Sequence, residues 1–171
     1  PDQARLLLEL AQSYAANKQT DEAEKTARRG LEKTKDYGPL YDFLYVARLK
    51  QKDVAGAEEV LQQKVANNPK SAAFVLGLAD HYRREKKKES MTETLARLTG
   101  DAKNFPDGHQ LAGDFLFRSG DLESAYKEYE AGIQAQPTHL GVGMAGVAVG
   151  GQDRPDLALK ILRALSPLIR G

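Results

Sequence analysis

The chain has 171 residues, 41% of them hydrophobic and 29% charged, which is typical of a globular protein with one sizeable core. Its 25 basic and 24 acidic residues give a formal net charge of +1, so no global positive field attracts nucleic acid or anionic lipid. The absence of cysteine excludes disulfides, thiolate nucleophiles and sulfur-ligated metals.

A period of 34 residues runs along the chain. Three alanines and a methionine are separated by this interval, namely Ala23, Ala57, Met91 and Ala125. Four positions further on lie apolar residues in every case, namely Ala27, Leu61, Leu95 and Tyr129. Because a fixed period determines the architecture of a chain, this spacing predicts a stack of similar helical elements.

Apolar stripes and polar turns recur with the same period. The stripes are Leu7, Leu10, Ala11 and Tyr14, then Val75, Leu78, Ala79 and Tyr82, then His109, Ala112, Gly113 and Leu116. The small residue of a stripe is expected where two helices approach closely. Polar turns are predicted at "NKQT" from Asn17, "KQKD" from Lys50, "REKKKE" from Arg84 and "RSGD" from Arg118. Pro69 and Pro137 each end a copy of the pattern.

These spacings resemble the signature of the tetratricopeptide repeat family, W-x2-L-G-x2-Y, A-x3-F and P over 34 residues. The resemblance covers nearly the whole chain, with repeats at 4–37, 38–71, 72–105, 106–138 and 139–171. It implies an all-α fold, a right-handed superhelical solenoid of about five antiparallel helix pairs. The chain departs from the signature at bulky Tyr45 on the small site and Arg48 on the tyrosine site. Pro106, three residues late, is expected to open a helix.

In this family the first helix of each pair lines a concave groove, which implies a protein-binding surface on this chain. The predicted groove residues are Asp42, Val46, Leu49, Leu76, Asp80, Arg83, Arg84, Gln110, Asp114, Phe117 and Arg118. Apolar anchors beside orienting charges are what a peptide or helical ligand requires. Phe43 is a further candidate for ligand contact, ranked after these residues. The carboxylate clamp of tetratricopeptide co-chaperones is absent, since the matching places hold Leu8, Gln12, Phe43, Ala73 and Gly77.

The remaining motifs favour structural roles. "GVGMAG" at 141–146 matches G-x-G-x-x-G, but it follows a helix end and a proline rather than a strand, so close helix packing is predicted. His81, His109 and His139 lack the spacing of metal ligands. "RREKKKE" at 83–89 is predicted to be a solvated turn rather than a phosphate patch. We therefore predict no catalytic, cofactor or metal site.

The segment 156–169 carries two apolar stripes. Ala158, Leu162, Leu165 and Ile169 are predicted to pack inside the fifth repeat. The second stripe, the end face, consists of Leu157, Ile161, Ala164 and Leu168. Exposing it to water would forgo on the order of 5 to 9 kcal/mol of burial, so we expect it to meet further repeats, a second copy or a partner.

The sequence thus predicts a non-catalytic scaffold that binds peptide or helical segments in its groove. The alternative is a structural, self-assembling segment of a larger protein or complex that associates through the end face. Nucleic-acid binding is disfavoured because charges of both signs alternate along the groove. No apolar stretch is long enough for membrane insertion. The partner and the compartment, cytoplasm or periplasm, stay open.

Overall fold

The computed structural model describes residues 2–135 together with residues 155, 156 and 159. Residues 2–135 form eight α-helices, and no β-strand occurs among the described residues. They are α1 (Asp2–Ala16), α2 (Thr20–Lys33), α3 (Gly38–Lys50), α4 (Val54–Asn67), α5 (Ala72–Arg84), α6 (Lys88–Thr99), α7 (Gly108–Arg118) and α8 (Leu122–Ala135). The all-α prediction is confirmed, and among the described helices none is long and apolar enough to cross a membrane.

The chain divides into two compact units, which are Pro1–Glu85 and Lys86–Gly171. In the N-terminal unit, α1 packs against α2 and α3 against α4, while α2 contacts α3 and α4 contacts α5. In the C-terminal unit, α6 packs against α7 and α7 against α8. Within each unit, a helix therefore packs against the helices next to it in the chain, as expected of a helical repeat.

Turns with one residue in the left-handed backbone region follow the first helix of each pair. These residues are Lys18, Lys52, Lys86 and Gly120, with φ of 61°, 60°, 58° and 83°. Their numbers are separated by 34, so the period of the sequence is also a period of the backbone. At Lys18 the turn is closed by two bonds, Lys18 N–H to Ala15 O at 3.0 Å and Gln19 N–H to Tyr14 O at 2.9 Å. This is a Schellman arrangement, and the same two bonds recur around Lys52 and Gly120.

In two of these turns an aspartate side chain caps the helix that follows the turn. Asp53 Oδ1 accepts a hydrogen bond from the Gly56 backbone N–H at 2.9 Å, and Asp121 Oδ1 accepts one from Ser124 N–H at 3.2 Å. Gln19, at the same register before α2, makes no side-chain cap bond. The bond from Gly56 is the main reason why the pKa of Asp53 is lowered, and Arg48 adds to it.

The two columns of residues with the period of 34 lie in the core. All eight side chains, from Ala23 to Ala125 and from Ala27 to Tyr129, are at most 6% exposed. The close approach predicted at the small site is present at Gly113, where an added Cβ would lie 2.6 Å from Cε1 of Tyr129. Small residues therefore set the distance between the paired helices α7 and α8.

Two sequence expectations are wrong. Leu10, predicted in the core stripe of α1, is 44% exposed, whereas its counterpart Leu44 is buried. The reason is that α3 packs against the preceding helix α2, while no helix precedes α1 in the described residues. Pro106 does not open a helix, because α7 begins at Gly108. Gly108 lies so close to the backbone carbonyl of Leu98 that an added Cβ would overlap it.

Candidate protein-binding surface

The predicted groove residues of the N-terminal unit lie on one stripe of α3 and one stripe of α5. On α3 the stripe consists of Asp42, Val46 and Leu49, spaced i, i+4 and i+7. On α5 it consists of Leu76, Asp80, Arg83 and Arg84. The opposite stripes are buried and include Leu40, Leu44, Val75 and Leu78. The core and the candidate surface thus occupy different faces of the same two helices.

None of these predicted groove residues is buried. Val46 and Leu49 are 47% and 37% exposed, and in the described part of the chain they are among the few large hydrophobic side chains with that much access to solvent. Asp42, Arg83 and Arg84 are exposed, while Leu76 and Asp80 are half-buried. The surface therefore combines accessible apolar area with charges.

Tyr45 joins α3 to α5 beneath this surface. Its hydroxyl lies 3.3 Å from Nδ1 of His81, and the two rings meet edge to face with centroids 5.8 Å apart. Burial raises the pKa of Tyr45, Arg84 acts to lower it, and Asp80 and Glu85 act to raise it. The charged stripe of α5 is therefore close to Tyr45, the sequence neighbour of Val46.

Lys64 of α4 holds the groove residue Asp42. Its Nζ lies 2.5 Å from Asp42 Oδ1 and 4.0 Å from the centroid of the Phe74 ring. Only 6% of Lys64 is exposed, so the ammonium group is held between a carboxylate and an aromatic face. A Cβ at Gly38 would meet Phe74 Cζ at 2.6 Å, so α3 and α5 also approach closely at this end.

Asp80 is shared by two arginines of its own helix. Arg83 donates to Oδ1 from Nε at 2.9 Å and from Nη2 at 2.7 Å, and Arg84 Nη2 lies 2.7 Å from Oδ2. One carboxylate therefore faces two guanidinium groups. The three side chains together carry one net positive charge.

The predicted groove residues of the C-terminal unit lie on α7. Gln110, Asp114 and Phe117 are half-buried, and Arg118 is exposed. Asp114 Oδ1 accepts a hydrogen bond from the Tyr129 hydroxyl at 2.6 Å. Burial, and after it this carboxylate, raises the pKa of Tyr129 well above its ordinary value. Asp114 is therefore a packing contact between α7 and α8 as well as a predicted ligand contact.

Sequence reasoning missed Lys64. The signal was available, because the column with the period of 34 that contains it reads Gly30, Lys64, Leu98 and Gly132, and all four residues are buried. A lysine at a buried position requires a partner for its charge, so the position of Lys64 in this column predicts a carboxylate within reach. The pairing of Tyr45 with His81 was also missed, although Tyr45 stands out as the bulky residue on the small site.

Other sequence motifs receive structural explanations or lie outside the described residues. His109 Nδ1 is 2.8 Å from Glu128 Oε2, and in the described part of the chain no three His, Asp or Glu side chains are grouped to hold a metal. Residues 83–89 are all exposed, as a solvated segment requires. Phe43 is half-buried against the core. The end face (Leu157, Ile161, Ala164 and Leu168), His139 and the glycine motif at 141–146 lie outside the described residues.

The turns, the buried columns and the paired helices define an all-α helical repeat with a period of 34 residues in the described part of the chain. No protein-family model and no curated protein matches the chain. Similar solved structures include PilF of Pseudomonas aeruginosa, at 14% identity and a TM-score of 0.49 over 97% of this chain and 76% of that one. Another is MamA, at 16% identity and a TM-score of 0.46 over 92% of each chain.

Proposed function

We propose that the protein is a non-catalytic scaffold that binds a peptide or helical segment of a partner protein. The candidate contact residues are the predicted groove residues on α3 and α5 of the N-terminal unit and, separately, those on α7 of the C-terminal unit. The observation that carries the proposal is the pair of exposed apolar side chains, Val46 and Leu49, on the face of α3 turned away from its buried stripe. Covering an apolar side chain of this size contributes about 1.5 to 3 kcal/mol when burial is complete.

The surface is also held in place before any ligand binds. The Tyr45 and His81 contact joins α3 to α5, and the Lys64 and Asp42 pair joins α4 to α3. A surface on rigid helices loses little conformational entropy on binding, so more of the contact energy appears as affinity. This supports recognition by preformed helices rather than by a loop that orders on binding.

The test is affinity capture from a lysate of the source organism, followed by mass spectrometry and a direct binding measurement with each purified prey. The groove variant is Val46→Glu with Leu49→Glu. Its matched control is Leu6→Glu with Leu10→Glu, since these leucines are 64% and 44% exposed on α1 of the same unit and lie off the groove. Circular dichroism and urea unfolding establish that both variants are folded.

We expect a prey protein that the groove variant loses and that the α1 control retains. The proposal is overturned if the control loses the prey and the groove variant retains it, because the contact then lies on α1. It is also overturned if the only protein captured is the chain itself. Assembly through the end face, which remains a prediction, would then be tested with Leu157→Glu, Ile161→Glu and Leu168→Glu.

A further inference from the structure

We infer that the segment bound by this surface is acidic, with an apolar side chain on Val46 and Leu49 and a carboxylate side chain on Arg84 and Arg83. The inference rests on the proposed function, because it specifies the chemistry of the ligand for the same surface. It follows from how the charges of α3 and α5 are paired within the protein.

The acidic groove residues of this unit are already engaged by internal cations. Asp42 accepts from Lys64, whose ammonium group is buried and in contact with the Phe74 ring. A basic ligand that took Asp42 would leave Lys64 buried without its carboxylate, which is strongly unfavourable. Asp80 already accepts from two arginines. The charge of both carboxylates is therefore offset by cations of the free protein, which lowers their attraction for a lysine or arginine on the ligand.

The arginines have donors to spare. A guanidinium group carries five N–H donors in a fork that matches a carboxylate. Arg84 is held at Asp80 through Nη2, and 63% of its side chain is exposed. Arg83 uses Nε and Nη2 on a single oxygen of Asp80, and 43% of its side chain is exposed. Arg84 is accordingly the principal contact for a ligand carboxylate.

The charged residues near Arg83 and Arg84 do not reverse the preference for an acidic ligand. Lys50 is exposed on the last turn of α3, and Glu85 is exposed directly after α5. The cations Lys50, Arg83 and Arg84 thus outnumber the anions Asp80 and Glu85, while Asp42 and Lys64 neutralise each other. Lys50 directly follows Leu49 in the chain, and Arg83 and Arg84 lie on the α5 stripe, so these cations favour the association of an acidic segment with Val46 and Leu49.

The experiment selects ligands without assuming a sequence. A display library of random 12-residue peptides is selected on the full chain, and enriched peptides are synthesised and measured by fluorescence anisotropy. The charge variant is Arg83→Glu with Arg84→Glu, and Arg84→Gln is the milder form. The matched control is Lys25→Glu with Arg29→Glu, which makes the same change of charge on exposed residues of α2. The variants Val46→Glu with Leu49→Glu and Leu6→Glu with Leu10→Glu are included.

We expect enriched peptides with Asp or Glu near a leucine, isoleucine or phenylalanine. Their affinity should fall about tenfold or more in the charge variant and severalfold in Arg84→Gln, and change little in the α2 control. A peptide whose acidic residue is replaced by lysine should regain affinity for the charge variant. These results together support the inference.

The other outcomes separate the two proposals. Peptides that are basic or neutral, and that still require Val46 and Leu49, overturn the inference and leave the proposed function standing. Acidic peptides weakened equally by the α2 control overturn it as well, since the attraction is then general. Peptides that do not depend on Val46 and Leu49, or a selection without enrichment, overturn both proposals.

Discussion

The hydroxyl of Tyr129 lies 2.6 Å from Oδ1 of Asp114 and joins the buried face of α8 to the candidate surface on α7. Tyr129 is 1% exposed, while Asp114 keeps partial access to solvent. The core therefore orients a carboxylate that the sequence assigns to ligand binding. The packing of the helix pair and the geometry of its surface depend on the same bond.

Tyr129→Phe removes this bond and is expected to lower the free energy of unfolding by about 0.5 to 1.5 kcal/mol at neutral pH. The variant should also change how the free energy of unfolding falls at alkaline pH. The pKa of Tyr129 is raised in the folded state, so its contribution is complete below the unfolded pKa of about 10 and is lost as the pH rises above it. Urea unfolding at increasing pH should show a shallower alkaline decline for the variant. An equal decline in both proteins would contradict the assignment.

Gly113→Ala should destabilise the protein. The new Cβ would lie 2.6 Å from Tyr129 Cε1, and forcing a buried ring to move costs about 1 to 3 kcal/mol, which exceeds the better helix propensity of alanine, about 1 kcal/mol. The control is Gly77→Ala on α5, where an added Cβ has no neighbour within 4 Å, so stability should rise by up to about 1 kcal/mol. Urea unfolding measures both. A gain in both variants would show that α7 and α8 are not in close contact at Gly113.

Gln19→Asp should stabilise α2 by supplying the cap that Asp53 and Asp121 provide before α4 and α8. The expected gain is about 1 kcal/mol in the free energy of unfolding. Gln19→Glu introduces the same charge with a side chain that is a poor N-cap. Comparing the two variants therefore distinguishes the contribution of the cap hydrogen bond from that of a negative charge near the helix dipole. If both variants change stability equally, capping is not the cause.

Asp53→Asn should make stability less sensitive to acid. The pKa of Asp53 is lowered by the Gly56 N–H bond and by Arg48, so the contribution of the carboxylate is present above its unfolded pKa of about 3.9. It is lost as the pH falls through the lower folded value. Asparagine still accepts from Gly56 but does not ionise. Thermal unfolding at pH values on both sides of this window should show a smaller loss for the variant than for the wild type, and an unchanged loss would contradict the prediction.

The architecture was predictable because each repeat solves the same packing problem. A second helix approaches the first most closely where the side chains are small, so alanine returns at Ala23, Ala57 and Ala125, and Met91 is the exception. The turns return with the same interval and the same backbone geometry. The exposure of Leu10 was not predictable, because it depends on the helix that precedes a repeat rather than on the repeat itself.

The candidate surface was predictable only in part. The helix period identified which side chains of α3 and α5 face away from the core, and the structure exposes them wholly or in part. Their internal partners do not follow the period. One repeat away, the positions of Asp42 and Lys64 hold Leu8 and Gly30 or Leu76 and Leu98, so the ion pair does not recur there. The positions of Tyr45 and His81 likewise hold other residues in the neighbouring repeats. Ligand contact by the groove residues stays a prediction.

The turns at Lys18, Lys52 and Gly120 have a consequence for how the chain folds. Each reverses the backbone with hydrogen bonds that reach no further than five residues back along the chain. The two helices of a pair therefore meet after closing a very short loop, which costs little chain entropy. Since folding is fast where contacts are local, each hairpin of helices is expected to form early, and the slower step is the docking of one hairpin on the next.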